Sequence, residues 1–208
     1  LEHVSHAGKG LLSLINELLL VSKIDADKLI LNPTNYSLSK CLNSNFELHK
    51  SGAIEKGLSY SIQFNIPETN EYCFDHLKLG QVVQNLLSNS LKFTKTGSVQ
   101  LQVNLVSSTD NVDTIDISVI DTGIGIPKEN LESIFVNFEQ AINNQSGEYG
   151  GTGLGLSIVK KILVLMGSEI KVESKNGKTS FIFQLKLSKA QLIEPTDFIS
   201  INQKGALH

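Results

Sequence analysis

Asn85-Leu-Leu-Ser-Asn-Ser-Leu-Lys-Phe-Thr94 reads differently on its two sides. Asn85, Asn89 and Lys92 are spaced by four and three, so on a helix they share one face. Leu79, Val82, Val83, Leu86 and Leu87 fall on the opposite face. The pattern predicts a core-packed helix over about residues 75–93. Two amides and an ammonium in a row suit a metal-bound polyphosphate. An Asn carbonyl is a hard oxygen ligand for Mg2+, and a lysine neutralises phosphate charge. Taken alone, such a row is more often a solvated face.

Around this helix the hydrophobic period changes to two. Leu58, Tyr60, Ile62, Phe64 and Ile66 alternate with polar neighbours up to Pro67. Val99, Leu101, Val103 and Leu105 form a second run, and Ile115, Ile117 and Val119 a third, joined by a turn-rich loop at residues 107–111. Two last strands hold Ile170 and Val172, then Phe181, Phe183, Leu185 and Leu187, with Asn176-Gly177 as a hairpin turn between them. Further helices are expected at residues 38–54, capped by Ser37 with Gly57 near the end, and at residues 154–166. Leu29 and Leu31 suggest a short strand ended by Pro33. One-sided strands with a few amphipathic helices make a two-layer α/β sandwich. Its helices cover one face of a mainly antiparallel mixed sheet.

The first 24 residues carry apolar Val4, Leu11, Ile15, Leu18 and Val21 on one side of a single helix, with Leu14 and Leu19 beside them. That stripe calls for a partner helix or a second copy, unless it lies on the domain that follows. The division expected is residues 1–27, this helix; 28–187, the sandwich; and 188–208, a linker where the pattern fades. A net charge of −3 with both signs mixed is no footprint for nucleic acid. Two cysteines make no disulfide framework, and Cys73 with His76 lacks the second pair a zinc site needs. No apolar run is long enough to span a bilayer. The chain begins at Leu1, so a longer parent is expected, and its membrane attachment stays open.

Two more clusters carry chemistry. Asp121-Thr-Gly-Ile-Gly-Ile-Pro127 follows a strand, so its carboxylate lies at a strand end and can accept from an exocyclic amine such as that of adenine. Gly123 and Gly125 would let backbone approach a flat ring, although Asp and Gly are also common in plain tight turns. Gly150-Gly-Thr-Gly-Leu-Gly-Leu156 runs straight into a helix, where free N–H groups can face an anion. It is not a P-loop, because no lysine follows Gly155. Nor is it the dinucleotide fingerprint, because Gly151, Gly153 and Gly155 are spaced by two.

In this order the three clusters resemble the N, G1 and G2 boxes of sensor histidine kinases, with Ile134-Phe-Val-Asn-Phe-Glu-Gln140 at the place of the F box. Leu11-Leu-Ser-Leu-Ile-Asn16 and Ser22-Lys-Ile-Asp25 resemble the second helix of that family's dimerisation and phosphotransfer hairpin. The resemblance implies an ATP-binding catalytic domain with ATP and Mg2+ as its cofactors. Asn89 would ligate Mg2+, Asn85 would lie on the triphosphate side, Lys92 would contact phosphate and Phe93 would shape the pocket. Asp121 would read the adenine amine, with Gly123 and Gly125 at the ring. Gly151, Thr152, Gly153, Leu154 and Gly155 would hinge a lid at residues 140–151 and face the phosphates. The partners implied are the phosphoacceptor hairpin of the same or a paired subunit, a response-regulator receiver domain, and a second copy in a homodimeric parent. The need for ATP implies a cytoplasmic domain.

The chain departs from the family pattern at Val136 and Asn137, where an acidic residue and a proline are common, and at Ser168, which replaces a frequent glycine. Ser5-His6 is followed by Ala7-Gly8-Lys9 rather than by an acid, so His6 has no neighbour to act as base, and no phosphoacceptor is identified. Two other readings stay open. One is a nucleotide-fold module used for docking; the other is an ATPase. The hydrolytic relatives of this fold place a Glu four residues before the metal-binding Asn. Asn85 stands there instead, and an amide is no general base.

Overall fold

The computed structural model describes residues 28–67, 71–136 and 153–190, and before them single positions 8, 11, 12, 15, 18, 19, 21, 22 and 26. All of those single positions except 26 are helical. Leu11, Leu12 and Leu19 are more than half exposed, whereas Val21 is buried.

Pro33 precedes a strand instead of ending one: β1 is Thr34–Ser37. Residues 28–33 take no regular structure, and the Asn32 N–H goes to the Asp75 carboxylate at 2.9 Å. The alternation of Leu29 and Leu31 therefore reflects two half-buried side chains on an irregular segment. The helix expected over residues 38–54 is two helices, α1 (Leu38–Glu47) and α2 (Lys50–Glu55), separated at Leu48 and His49. Ser37 caps α1 by accepting from Lys40 N–H. Gly57, at φ +66°, closes α2 with its N–H on Ile54 O.

The alternating run becomes β2 (Ser59–Asn65). A strand that the sequence reading omits, β3 (Glu71–Phe74), leads into α3 (His76–Phe93). Asp75 is the N-cap of α3, and Leu79, Val82, Val83, Leu86 and Leu87 are fully buried. Next come β4 (Ser98–Ser108) and β5 (Val112–Asp121), then two 3-10 turns at Lys128–Asn130 and Ser133–Phe135. α4 (Gly155–Leu165), β6 (Ile170–Lys175) and β7 (Lys178–Lys189) complete the described chain. Asn176 and Gly177 both have positive φ, +55° and +69°, as a two-residue hairpin turn requires.

The sheet runs β1-β3-β7-β5-β4-β2, with β6 also paired to β7. Every pair is antiparallel except β2 with β4. Val99, Leu101 and Val103 alternate inward with Ile115, Ile117, Val119, Phe181, Phe183 and Leu185. α1, α3 and α4 pack together over that face. The other face carries Gln100, Gln102, Asn104, Asp116 and Gln184, some hydrogen-bonded to one another. The expected two-layer sandwich is what forms. Its sheet and α3 meet at the carboxyl end of β5, where Asp121 stands.

At the other end of β5 sits a buried polar cluster. Asp113, 1% exposed, accepts from Tyr72 Oη at 2.7 Å and Ser108 Oγ at 2.6 Å. Lys189 Nζ lies 3.1 Å from Asp113 Oδ1, and the Ala190 N–H bonds to Glu71 O. The end of β7 is thereby tied to β3 and β5.

Candidate functional site

Asp121 continues the inward alternation of Ile115, Ile117 and Val119, which carries a carboxylate into the edge of the core. It is 5% exposed. Its Oδ1 accepts from the Gly123 N–H at 3.0 Å, and its Oδ2 from Ser90 Oγ at 3.1 Å. Burial raises its pKa. The Gly123 N–H and the Ser90 hydroxyl pull it back without cancelling the rise.

The turn after Asp121 is held against the end of α3. The Ile124 N–H bonds to Phe93 O at 3.2 Å. A Cβ on Gly123 would stand 2.5 Å from that same carbonyl and 2.9 Å from Asp121 Oδ1, so this close approach excludes any side chain. Gly125 has φ +78°. The Ile126 N–H then bonds to Ser174 Oγ at 2.8 Å, and Ser174 lies 3.2 Å from Thr179 Oγ1. Thr179 is buried and is the ladder partner of Asp121.

On α3 the polar row begins at Asn85, which faces the start of α4. Asn85 Nδ2 donates to Gly155 O at 3.4 Å. Asn89 and Lys92 are half-buried on the same side. Burial lowers the Lys92 pKa, and its ammonium sits 4.8 Å from the Phe93 ring centre. Gly153 has φ +71° and precedes Leu154, which is fully buried. Among the described residues no side chain caps α4, which starts at Gly155.

The structure thus brings Asn85 beside Gly155, and Asp121 beside Gly123 and the end of α3. Gly151, Thr152, the lid at residues 140–151, Asn137, Phe138 and the histidines at 3 and 6 lie outside the described residues. Phe135 is placed edge-on to Phe181, with ring centres 6.5 Å apart. Sequence reasoning missed Ser90 and Thr179. Each is a hydroxyl on an apolar face: Ser90 follows Leu86 and Leu87 by four and three, and Thr179 precedes Phe181 by two.

The profile of the histidine kinase-, DNA gyrase B-, and HSP90-like ATPase family matches residues 74–189. The chain belongs to that ATPase family. Among relatives of this family member, the autoinducer 2 sensor kinase/phosphatase LuxQ of Vibrio vulnificus (strain YJ016) is 35% identical over 91% of the chain. The sensor protein GacS of Pseudomonas syringae pv. syringae is 37% identical over 90%. The chain spans 22% and 21% of those two proteins, about a fifth of their length. The crystal structure of full-length ShkA in complex with AMPPNP matches with a TM-score of 0.76 and 28% identity, over 90% of this chain and 38% of ShkA. Among the described residues no helix is long and apolar enough to cross a membrane.

Proposed function

We propose that this chain is the catalytic part of a sensor histidine kinase, which transfers the γ-phosphoryl of ATP to a histidine on a dimerisation hairpin. The observation that carries the reading is the carboxylate of Asp121, sunk at a strand end and held by Ser90 and Gly123 beside a turn that admits no Cβ. A flat base with an exocyclic amine fits such a place: an acceptor meets the amine, and bare backbone meets the ring. Asn85, Asn89 and Lys92 then lie on the phosphate side, with Asn85 against the start of α4 at Gly155.

Residues 1–27 would be the hairpin's second helix, residues 28–187 the kinase domain and residues 188–208 the linker. A receiver domain would take the phosphoryl group onward, and the apolar helix would pair in a homodimer. Mg2+ would neutralise charge on the phosphate oxygens. Asn89 would offer its amide oxygen as a ligand. Lys92, partly desolvated, binds an anionic oxygen more strongly than a fully hydrated ammonium would. Asn85 holds Gly155 and has no basic atom to activate water, so hydrolysis stays slow.

Calorimetric titration with AMPPNP, with and without Mg2+, tests the site. Wild type should bind about tenfold more tightly with Mg2+. Asn89→Ala should lose that gain and keep the Mg2+-free affinity. An Asn89→Ala protein that keeps the full gain removes Asn89 from the metal. Labelled ATP tests the acceptor. The chain alone should take up no acid-labile label, because Ser5-His6-Ala7 offers no acidic neighbour, while a supplied hairpin should be labelled. Label on the chain itself would place an acceptor within it.

A further inference from the structure

We infer that Ser90 is a positioning residue for base recognition: its hydroxyl fixes the Asp121 carboxylate as a pure acceptor, aimed at an exocyclic amine, and so sets the preference for amino-purines over oxo-purines. The inference rests on the nucleotide reading above and deepens it.

The geometry is specific. Ser90 is 1% exposed and Asp121 5% exposed, so water does not compete for the bond between them. Each carboxylate oxygen receives one internal donor, Gly123 N–H on Oδ1 and Ser90 Oγ on Oδ2. Two donors on different oxygens fix the rotation of the carboxylate about its last bond. What remains for a ligand is acceptor capacity only. The Asp121 neighbours across the ladders are Val99 and Thr179, neither charged. Among the described residues, its ionised form depends on these two hydrogen bonds against burial.

Ser90 also sets a distance. It lies on α3 next to Asn89 and two residues before Lys92, and its bond to Asp121 spans 31 residues. The Ile124–Phe93 backbone bond fixes the same crossing one turn further along α3. The spacing between the base-reading carboxylate and the phosphate-side residues therefore runs through this hydroxyl. A purely structural serine would have no stake in which base is bound.

Binding of ADP and of IDP, which differ at the 6-position amine, provides the test in the whole chain by calorimetry. Neither ligand carries a γ-phosphoryl, so turnover does not interfere. Wild type should prefer ADP by tenfold or more. Ser90→Ala suits a helix interior and should stay folded, as circular dichroism will check. It should lose about 5- to 10-fold in ADP affinity and hold or gain in IDP affinity. The loss in preference should deepen as pH is lowered, because a carboxyl with one donor fewer protonates sooner. Equal losses for both ligands, or an unchanged preference, would overturn the role of Ser90 and leave the pocket standing. A wild type that binds ADP and IDP alike would overturn the base-pocket reading, and this inference with it.

Discussion

Asp121→Asn is expected to weaken ADP binding about 100-fold while leaving the fold in place. The amide has the same shape, and the site can accommodate it. Its oxygen can accept from Gly123 N–H, and Ser90, whose hydroxyl both donates and accepts, can turn to take the new N–H. The ligand then meets an amide donor where it had met an acceptor, and two donors face each other. A hydrogen bond to a charged group is worth about 1.5–3 kcal/mol, and the opposed donors add to its loss. Stability should shift by less than about 1 kcal/mol, because the substitution also removes a charge that burial disfavours. The pH dependence follows from the direction of the shift. The folded pKa of Asp121 lies above the ordinary carboxylate value, so ionised Asp121 opposes folding above that pKa. As pH falls from the folded towards the unfolded pKa, stability rises and ADP affinity drops. Asp121→Asn should flatten both trends. An affinity within about threefold of wild type would remove Asp121 from base recognition.

The parts of this fold that are legible in the sequence are those where one face is buried along a whole element. β2, β4, β5 and β7 each repeat their inward residues three or more times, and α3 displays its stripe with Asp75 as a cap. β3 offers only Tyr72 and Phe74, too few to separate a strand from the approach to a helix. The split between α1 and α2 leaves no sequence mark, since Leu48 and His49 are ordinary helix residues. The same limit governs the site. Asn85, Asn89 and Lys92 declare themselves by local spacing, as do Asp121, Gly123 and Gly125. Whether one cluster touches another is decided by where α3 crosses β5 and α4. The Ser90–Asp121 and Asn85–Gly155 bonds span 31 and 70 residues, and no local pattern encodes them. What the sequence did contain was an anomaly: Ser90, Thr179 and Asp121 all fall at positions where the period calls for an apolar side chain. Burial of a polar group is costly unless it is hydrogen-bonded, so such positions point to partners.

Asp113→Ala should lower stability by about 3 kcal/mol and Tm by about 10 °C, with ADP affinity unchanged. The same strand carries both aspartates, and their environments push them in opposite directions. Burial raises the Asp113 pKa, but hydrogen bonds from Ser108, Tyr72 and Lys189, together with the Lys189 charge, outweigh it and hold the group below its ordinary value. Removing the carboxylate leaves the Tyr72 hydroxyl, on a fully buried residue, without its acceptor. It also leaves Lys189 without its counter-charge. Lys189 is 30% exposed at the side chain, so water recovers part of that loss and keeps the total near the low end for a broken buried pair. A depressed folded pKa means the contribution is fully present above the ordinary carboxylate value and disappears as pH falls through the folded one. Acid unfolding of wild type should therefore include a slope that Asp113→Ala lacks. Asp113 and Asp121 are eight residues apart on β5, about 26 Å of extended chain, so the two groups stand at opposite ends of one strand. The two variants separate stability from recognition: one should lose the first and keep the second, the other the reverse. If Asp113→Ala weakened ADP binding as well, the two ends of β5 would be coupled, and the sheet could not be treated as a rigid support for the site.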